Sequence, residues 1–443
     1  MRRTLQHPAR AVPIAFLIAI SAGTVLLMLP VSRQGPGGAP LLTALFTTTS
    51  AVCVTGLSIV DTPTYWSSFG QAVILGEIQV GGLGIVTLAT MLGLLVSRRL
   101  GLSRRLMAQA ENRSVTLGSV RGILGRVALT LLVCETVVAV ALTARFWLGY
   151  RYPFGKAVWH GVFHAVSAFN DAGFALYSDN MVRFVGDWWV CLPLIAAVVV
   201  ASLGFPVLFE LLRELRRPAT WTVHTRLTVM GTVVLLAVGF VAVLAFEWTN
   251  AGTLGPLGVA DKTLAALFQS AMPRTAGFNS VDYAQMQTET VAVTDVLMFI
   301  GGGSAGTAGG IKVTTFFLLA YVIWSEVRAE SDVVVGRRRI AESAQRQAVS
   351  VALLGVAVVA VGTLLLLLLT DLPLDRALFE TTSAFATVGL STGVTATLPP
   401  AAQVVLVMLM FVGRVGTVAV ASAMALAERP RRYRYPEEQP IVG

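Results

Sequence analysis

The stretch FTTTSAVCVTGLS at residues 46–58 ends a short amphipathic segment with one glycine flanked by small or apolar residues. Related stretches contain DAGFA at 171–175, TAGFN at 275–279 and TVGLS at 387–391. Their glycines, Gly56, Gly173, Gly277 and Gly389, are spaced 117, 104 and 112 residues apart. This recurrence predicts one structural unit used four times, and four equivalent loops can surround one axis.

A common template precedes three of the glycines. A phenylalanine lies ten residues before them and a serine six residues before, in the pattern F-x3-S-x5-G. These residues are Phe46 and Ser50, Phe163 and Ser167, and Phe379 and Ser383. In the third unit Phe268 lies nine residues before Gly277, and Met272 and Pro273 occupy the approach, so we interpret that unit as a diverged copy.

Composition places the chain in a bilayer. Hydrophobic residues make up 55% of the 443 positions, charged residues 13%, and the mean hydropathy is +0.74. These values lie far outside the range of soluble domains and indicate an integral membrane protein. Eight apolar runs are long enough to span hydrocarbon as helices, near 11–30, 71–96, 123–148, 188–212, 226–248, 346–370 and 401–427, with a glycine-interrupted run at 290–328.

The segments before the glycines are too short to cross. LLTALFTTTSAV at 41–52 and KAVWHGVFHAVSAF at 156–169 have the length of helices that enter the membrane and turn back. Each unit is therefore predicted as helix, re-entrant pore helix, loop and helix, in an all-α membrane protein. The predicted units are residues 1–112, 113–217, 218–336 and 337–443, the last with a C-terminal tail.

Orientation follows from the arginines, which dominate the 33 basic residues. They cluster in alternate connections, at 2–10, 98–121, 213–217, 328–346 and 429–434. The positive-inside rule places these connections and both termini in the cytoplasm, so the glycine loops face outward. This topology explains the net charge of +9 better than nucleic-acid binding does.

Cations inside a membrane need oxygen ligands, which backbone carbonyls supply where an irregular chain lines a water-filled path. Glycine permits the necessary positive φ angles. A half-helix before each loop directs its partially negative C-terminal end at the membrane centre. Four such loops predict a cation filter, and the alternative is that the glycines only end short helices.

The segment GGGSAGTAGG at 301–310 cannot maintain a straight helix and is predicted to unwind below the filter. A movable loop that obstructs the pore is the favoured interpretation. Close packing through small residues is the alternative, and a dinucleotide site is disfavoured because no strand precedes the glycines.

Charged and titratable residues in apolar segments need separate explanations. We expect Arg414 to face the pore or to pair with Glu77 or Glu135, since a charge at this depth is costly. We expect Arg274 behind its loop, paired with Glu380 or Asp171. His160 and His164 are predicted to pack or hydrogen-bond rather than bind metal, because no third ligand is near.

Three cysteines and three aspartates also have predicted roles. The cysteines Cys53, Cys134 and Cys191 cannot form a paired framework and are predicted as packing residues. Three aspartates that follow the glycines, Asp61, Asp179 and Asp282, are expected either to concentrate cations at an outer mouth or to be plain solvated loop residues.

The four units, together with QVGGLGIVT at 79–87, RTAGFN at 274–279 and GGGSAGTAGGIKVTTF at 301–316, resemble the Trk/Ktr/HKT superfamily of potassium transporters over essentially the whole chain. The first span leads directly into the first pore segment, which is similar to the Ktr membrane subunit. The resemblance implies four M-P-M repeats, that is eight transmembrane and four pore helices, arranged pseudo-fourfold around one pore. One glycine per loop, rather than the two of TVGYG, implies a shorter and less symmetric filter.

Carried onto this chain, the resemblance implies two sets of site residues. The filter residues that would bind potassium through their carbonyls are Val54, Thr55, Gly56, Leu57, Asp171, Ala172, Gly173, Phe174, Thr275, Ala276, Gly277, Phe278, Thr387, Val388, Gly389 and Leu390. The gate residues, in a loop at 301–311 with two flanking cations, are Gly301, Gly302, Gly303, Ser304, Ala305, Gly306, Thr307, Ala308, Gly309, Gly310, Lys312 and Arg414.

The implied function is potassium uptake across a bacterial plasma membrane, by a multi-pass homodimer in the lipid bilayer, with sodium as a possible activator. A cytoplasmic regulatory ring of the RCK type, like that of the Ktr system, would bind ATP, ADP or another nucleotide, and the chain itself would hold no cofactor. The residues favour no enzyme, because no nucleophile with its base, zinc spacing or phosphate loop is visible. The alternatives are an alternating-access secondary cation transporter that binds its ion at broken helices and an intramembrane enzyme, for which Glu77 and Glu135 are too isolated.

Overall fold

Helices account for nearly all the regular structure. The computed structural model describes residues 8–99, 117–336 and 338–416. Its helices in the first two units are α1 Pro8–Met28, α2 Leu41–Val52, α3 Thr62–Tyr65, α4 Ser68–Arg99, α5 Leu117–Ala144, α6 Phe154–Phe169, α7 Trp188–Leu203 and α8 Phe205–Glu214. In the last two units they are α9 Val223–Glu247, α10 Val259–Ala271, α11 Thr288–Phe299, α12 Val313–Val327, α13 Glu342–Leu369, α14 Leu374–Phe385 and α15 Pro400–Phe411.

The two named strands among the described residues form one small hairpin. Strand β1, Val334–Val335, pairs antiparallel with β2, Arg338–Arg339, around Gly336 at φ +64°. The hairpin joins the third unit to the fourth. The chain is therefore all-α in class, as predicted.

The predicted span-pore-span order recurs in each unit, with α2, α6, α10 and α14 as the pore helices. Three of these helices begin directly after a proline, Pro40, Pro153 or Pro373, and the third begins after Gly258. Proline suits this place because its fixed φ matches the chain entering a helix, and the first turn needs no N–H donor.

The pore helices lie at the centre of the molecule. Each contributes a completely buried phenylalanine at an equivalent position, and these are Phe46, Phe163, Phe268 and Phe379. Apolar side chains on the outer spans are exposed instead, for example Val137, Val241 and Leu368. A soluble protein would not present such a surface to water, so this belt fits contact with lipid.

Three helices in the described ranges are long and apolar enough to cross a bilayer, at 125–149, 223–247 and 342–369. A fourth crossing results if α7 and α8 count as one span. Shorter apolar helices include Pro13–Met28, Val313–Val327 and Pro400–Gly416. The end of the last predicted span at 417–427, the tail that follows it, and Arg2, Arg3, Arg104, Arg105 and Arg113 lie outside the described residues.

One predicted span was wrong in shape. The run at 188–212 was expected to be a single helix, but it breaks at Gly204 and α8 turns by 101° from α7. Gly204 has a φ of +86°, and a Cβ there would lie 2.5 Å from the carbonyl oxygen of Ser304. Only glycine accommodates both the conformation and this close approach, so the break is built to receive the segment that follows α11.

Candidate functional site

The four glycine loops converge into a closed ring. Each glycine faces the carbonyl oxygen of the residue before the next glycine, so closely that a Cβ atom built on it would overlap that oxygen. The pairs and the Cβ-to-oxygen distances are Gly56 with Ala172 (2.4 Å), Gly173 with Ala276 (2.9 Å), Gly277 with Val388 (2.5 Å) and Gly389 with Thr55 (2.0 Å). The loops therefore share one centre.

The loops also share an unusual backbone. The φ angles of the four glycines, in chain order, are +94°, +69°, +70° and +93°. The residues two positions earlier, Val54, Asp171, Thr275 and Thr387, also have positive φ, at 55°, 59°, 72° and 51°. For β-branched residues this region is strained, by about 1–3 kcal/mol each, and such strain is typical of functional backbone.

Template serines brace three of the loops. The hydroxyl oxygens of Ser50 and Ser383 accept hydrogen bonds from the N–H groups of Gly56 and Gly389, at 3.0 and 3.1 Å. The Ser167 hydroxyl instead donates to the carbonyl oxygen of Phe174 at 2.8 Å. The F-x3-S-x5-G template thus has a physical reason, because the buried phenylalanine anchors the pore helix and the serine fixes the loop.

A second bracing position, nine residues before the glycine, was missed by the sequence analysis. His164 accepts a hydrogen bond from the N–H of Leu176 at 3.1 Å, and Glu380 accepts one from the N–H of Thr392 at 2.9 Å. Both donors lie three residues after their glycine. The shared spacing is visible in the sequence, but His and Glu are too unlike to suggest one role.

His164 makes hydrogen bonds through both ring nitrogens. Its Nδ1 lies 2.7 Å from the carbonyl oxygen of His160, so Nδ1 donates and Nε2 is free to accept from Leu176. His160 packs against Tyr177, with ring centroids 5.0 Å apart. No group of three potential metal ligands occurs among the described histidines, cysteines and acidic residues. All three cysteines are free thiols, as predicted.

In the third loop, the backbone turn that follows the pore helix is one residue shorter than in the fourth loop. Ala276 donates to the carbonyl of Met272 four residues back, whereas the corresponding donor in the fourth loop, Val388, reaches back five residues to Ser383. Pro273 has no N–H to donate, and Ala271 replaces the template serine. The shift of Phe268 in the sequence pattern reflects this shorter turn.

Arg274 does not form either of the ion pairs expected for it. Its guanidinium donates to the carbonyl and the hydroxyl oxygen of Thr232 in α9, at 3.2 and 3.1 Å. Glu380 is already bonded to Ser391, Thr392 and Thr395. The arginine is fully buried behind its loop, and neutral oxygens of a neighbouring span solvate it.

One face of the ring opens into a vestibule of about 800 Å³. The glycines Gly56, Gly173 and Gly389 and the residues that follow them line it, with Asp61, Asp179 and Asp282. Asp179 pairs with Arg183 at 2.7 Å, and Asp61 accepts a hydrogen bond from Ser178 at 2.7 Å. Asp282 accepts hydrogen bonds from the N–H of Ala284 and from the side chain of Gln285, both at 3.0 Å. The three aspartates therefore give the vestibule acidic character and also order its wall.

The glycine-rich segment closes the opposite face. Helix α11 ends at Phe299 and α12 begins at Val313, so the predicted interruption is present. A Cβ on Gly309 would lie 2.4 Å from the carbonyl oxygen of Ala386 in the fourth loop. On its other side, the N–H of Gly303 donates to the carbonyl of Ser202 at 2.6 Å, next to the break at Gly204. The segment is held between a filter loop and that break.

Two cations contact the same segment. Arg414 is buried in the turn after α15 and donates to the carbonyl oxygen of Thr307. Lys312 donates to the carbonyl oxygen of Ala308 at 2.5 Å. The alternative pairing of Arg414 with Glu77 or Glu135 is wrong, because Glu135 bonds Asn170 and Gln79, and Glu77 lies near Thr48.

The family model described as TrkH, cation transport protein, matches residues 3–432 of this chain. The chain belongs to the TrkH family of cation transport proteins. As a member of that family it is a transporter and not an enzyme, which agrees with the expectation from its residues.

Curated relatives of this TrkH-family chain match it over nearly their whole length. Ktr system potassium uptake protein B of Bacillus subtilis is 38% identical over 98% of this chain and 97% of its own length. The protein of the same name from Vibrio alginolyticus is 35% identical, over 98% and 94%. Potassium/sodium uptake protein NtpJ of Enterococcus hirae is 31% identical, over 98% and 97%.

The fold of the family is also recovered from a solved structure. The potassium transporter TrkH from Vibrio parahaemolyticus superposes with a TM-score of 0.69, over 95% of this chain and 84% of that chain, at 19% identity. At this identity the likeness concerns the fold alone. The M-P-M arrangement inferred from the four glycine motifs is therefore the arrangement of the TrkH fold.

Proposed function

We propose that this chain takes up potassium across a bacterial plasma membrane through the ring formed by its four glycine loops. The observation that carries the proposal is the closed cycle of glycine and carbonyl contacts between loops up to 333 residues apart in the chain. A ring of peptide oxygens at the ends of four pore helices can replace the hydration shell of an alkali cation. The names of the relatives favour potassium.

The filter residues are those expected from the resemblance, from Val54–Leu57 in the first loop to Thr387–Leu390 in the fourth. Each loop has positive φ at its glycine and at the residue two positions earlier. This backbone supports the assignment, because it aligns successive carbonyls in a way that ordinary turns do not. The acidic vestibule would collect cations at one mouth of the ring.

The segment 301–310, with Lys312 and Arg414, is proposed as the gate. It lies on the face of the ring opposite the vestibule and contacts the fourth loop. Glycines allow it to move, and the Arg414 contact to Thr307 holds it closed. Deleting 304–307 should raise cation flux in protein that still folds. Loss of flux with normal folding would assign the segment to packing instead.

We also propose a membrane orientation, an oligomeric state, a regulatory partner and sodium stimulation. The orientation, with both termini in the cytoplasm, rests on the arginine clusters. A homodimer, a nucleotide-binding regulatory ring and sodium stimulation rest on likeness to relatives named as parts of a Ktr system, or as a potassium/sodium uptake protein. The chain's basic connections offer surfaces for such a ring.

Growth of a bacterium that lacks its own potassium uptake tests the function. Expression of the chain should restore growth on low potassium, and more strongly with a co-expressed Ktr regulatory subunit. Two variants are compared in the same assay. Gly389→Ser alters the ring, and the control Ser350→Ala changes only an exposed hydroxyl of α13. Failure of rescue by a chain that reaches the membrane, with and without sodium, would refute potassium uptake.

An alternating-access carrier remains the second candidate, because two helices are broken near the ring, at Gly204 and at 300–312. Counterflow of ⁸⁶Rb⁺ into potassium-loaded vesicles separates the two. A gated pore should pass rubidium down its gradient without requiring potassium on the other side, whereas an obligatory exchanger should not.

A further inference from the structure

A second cavity lies outside the ring, between the helices α4, α5 and α6. Its volume is about 870 Å³, and its lining is mostly apolar. Gly76 of α4 is part of the lining, and a Cβ atom built on it would meet nothing within 4 Å. The described lining residues belong neither to the vestibule nor to the gate segment. This volume and lining are typical of a pocket for a small organic ligand.

Glu135 of α5 is the one charged residue in the described lining. It is buried and forms no ion pair with any side chain in the described ranges. Its carboxylate oxygens accept from amide N–H groups instead, Oε1 from Asn170 at 2.8 Å and Oε2 from Gln79 at 3.2 Å. Two donors on separate oxygens suit the ionised carboxyl. Because a carboxylate among apolar side chains is costly without a cation, the cavity favours a positively charged ligand.

The other end of the cavity carries exposed aromatic rings. Trp147 and Phe154, which flank the connection between α5 and α6, line it there with ring centroids 5.5 Å apart. Both side chains are exposed, and aromatic rings are typical of the membrane–water interface. Glu135 precedes Trp147 by twelve residues of the same helical segment, which places it about 18 Å deeper. A ligand that enters from the bilayer therefore needs an apolar body as well as a cationic head.

The carboxylate of Glu135 also contacts the second filter loop. Asn170 follows α6 and directly precedes Asp171, the first residue of that loop. Asn170 is completely buried. Its Nδ2 donates to Glu135, to Gln79 Oε1 at 3.0 Å and to the carbonyl oxygen of Val166 at 2.9 Å. A cation beside Glu135 would compete with this amide for the carboxylate, and the loop would lose part of its support.

We propose that this cavity is an inhibitory site for a hydrophobic ammonium ion, whose head pairs with Glu135 and whose tail fills the space beside Gly76. The inhibition rests on the proposed function, because it acts through Asn170 on the second loop of the ring. Binding itself depends only on the cavity and its carboxylate. The ligand arrives from the lipid phase and does not enter the ring.

The first experiment asks whether the carboxyl is reached from the bilayer. The full chain in lipid nanodiscs is treated with dicyclohexylcarbodiimide, and labelled peptides are identified by mass spectrometry. The carboxyl oxygen bonds to the central carbon of the reagent, the carboxyl proton passes to one nitrogen, and an acyl shift from oxygen to the other nitrogen leaves a stable N-acylurea. Glu135 should be labelled, and Glu77, a similarly buried carboxyl outside the described lining, should not. Labelling of neither residue, or of both equally, would overturn the proposal.

Dodecylammonium is the probe for binding, and dodecanol is its matched uncharged control. Dodecylammonium should protect Glu135 from labelling at a membrane concentration about tenfold lower than dodecanol does, because a charge pair is stronger in apolar surroundings than in water. Equal protection by both compounds would show a groove that any apolar chain fills, and the ammonium site would then be wrong.

Two variants test the tail and the head separately. Gly76→Leu fills the cavity and leaves the carboxylate, whereas Glu135→Gln removes the charge and leaves the cavity. Dodecylammonium should raise the melting temperature of the unaltered chain in nanodiscs, relative to dodecanol. This shift should disappear in Gly76→Leu, shrink in Glu135→Gln and persist in the control Glu77→Gln. If Glu135→Gln does not fold, Gly76→Leu alone decides, and a full shift in that variant would overturn the site.

Uptake of ⁸⁶Rb⁺ into proteoliposomes separates this inference from the proposed function. Dodecylammonium should inhibit the unaltered chain, and about tenfold higher concentrations should be needed in Gly76→Leu, each measured against its own uptake. Protection of Glu135 without any uptake would refute transport and support the site. Uptake without protection would support transport and refute the site. Protection with undiminished uptake would overturn the inhibitory role assigned to the contact with Asn170.

Discussion

The first and fourth loops differ from the second and third in both sequence and shape. In the first and fourth, a β-branched residue precedes the glycine and leucine follows it, as in VTGL and TVGL. In the second and third, the sequence is Ala-Gly-Phe. The glycine φ angles divide in the same way, with +94° and +93° in one pair and +69° and +70° in the other.

Bracing follows the same division. The serine hydroxyl accepts from the glycine N–H in the first and fourth loops, but in the second it donates to a carbonyl, and the third has Ala271 in its place. A φ near +70° is close to the left-handed helical region that other residues can enter, whereas one near +93° is open mainly to glycine. The ring is therefore made of two stricter and two more tolerant corners.

The strongest test of this division is substitution of the glycines themselves. Gly389→Ser places a Cβ 2.0 Å from the Thr55 carbonyl oxygen, so we expect about 1–3 kcal/mol from overlap and a similar amount from backbone strain. Discrimination between potassium and sodium should collapse. Gly173→Ser, in the tolerant pair, should retain much more of it.

The discrimination of each variant is measured under the same conditions as the inhibition of ⁸⁶Rb⁺ uptake by Na⁺. Equal loss of discrimination in Gly389→Ser and Gly173→Ser would abolish the distinction between the two kinds of corner.

The second test concerns the brace nine residues before the glycine. Glu380 in the fourth pore helix accepts hydrogen bonds from Ser391, Thr392 and Thr395, so Glu380→Gln should destabilise the fold by about 2–3 kcal/mol. His164→Phe in the second pore helix removes one neutral acceptor and one neutral donor and should cost about 1–2 kcal/mol.

Thermal unfolding in detergent compares the two. Glu289→Gln, on an exposed turn of α11, controls for loss of one charge. A larger shift in His164→Phe than in Glu380→Gln would contradict the stronger bracing assigned to the fourth loop.

The third test removes the serine hydroxyls. Ser50→Ala and Ser383→Ala leave a glycine N–H without its partner, which should cost about 1 kcal/mol each. Ser167→Ala removes a donor from a carbonyl that has a second lone pair, so its effect should be smaller. Melting temperatures measured beside Ser350→Ala check the order, and three equal shifts would show that the direction of the bond is irrelevant.

The smallest effect is expected in the vestibule. Asp179 and Arg183 are both partly exposed, with side-chain exposures of 37% and 45%, and such pairs contribute about 0.2–1 kcal/mol. Asp179→Asn should slow ⁸⁶Rb⁺ uptake slightly at low ionic strength and not at all at high ionic strength, since salt screens the attraction. A loss that persists in high salt would point to a structural role at this corner.

The sequence predicted the features that depend on local periodicity and recurrence. Four glycines at similar spacing predicted loops that meet, and the apolar runs predicted most of the spans. The break at Gly204 was not predicted, because a lone glycine in an apolar run is common in membrane helices. Its reason is the carbonyl of Ser304, one hundred residues away in the chain.

Partners of buried charges were the least predictable part of the site. Arg274 was assigned a carboxylate, yet it is solvated by Thr232 in the first span of its own unit. The contact of Thr307 with Asp171 joins residues 136 positions apart. Such pairings depend on where whole helices pack, and no local pattern encodes them. The assignment of the filter and gate residues to their roles is still a prediction, to be decided by the experiments above.

Asp171 is the one acidic residue in the four filter tetrads, and this has a consequence for how such a protein can evolve. In an assembly of four identical chains, one codon change would install four negative charges around the axis at once, and their mutual repulsion would be severe. Here the four corners belong to one polypeptide, so a mutation changes one quarter of the ring. The charge of the ring can thus be changed by one unit at a time, a resolution that a homotetramer does not have.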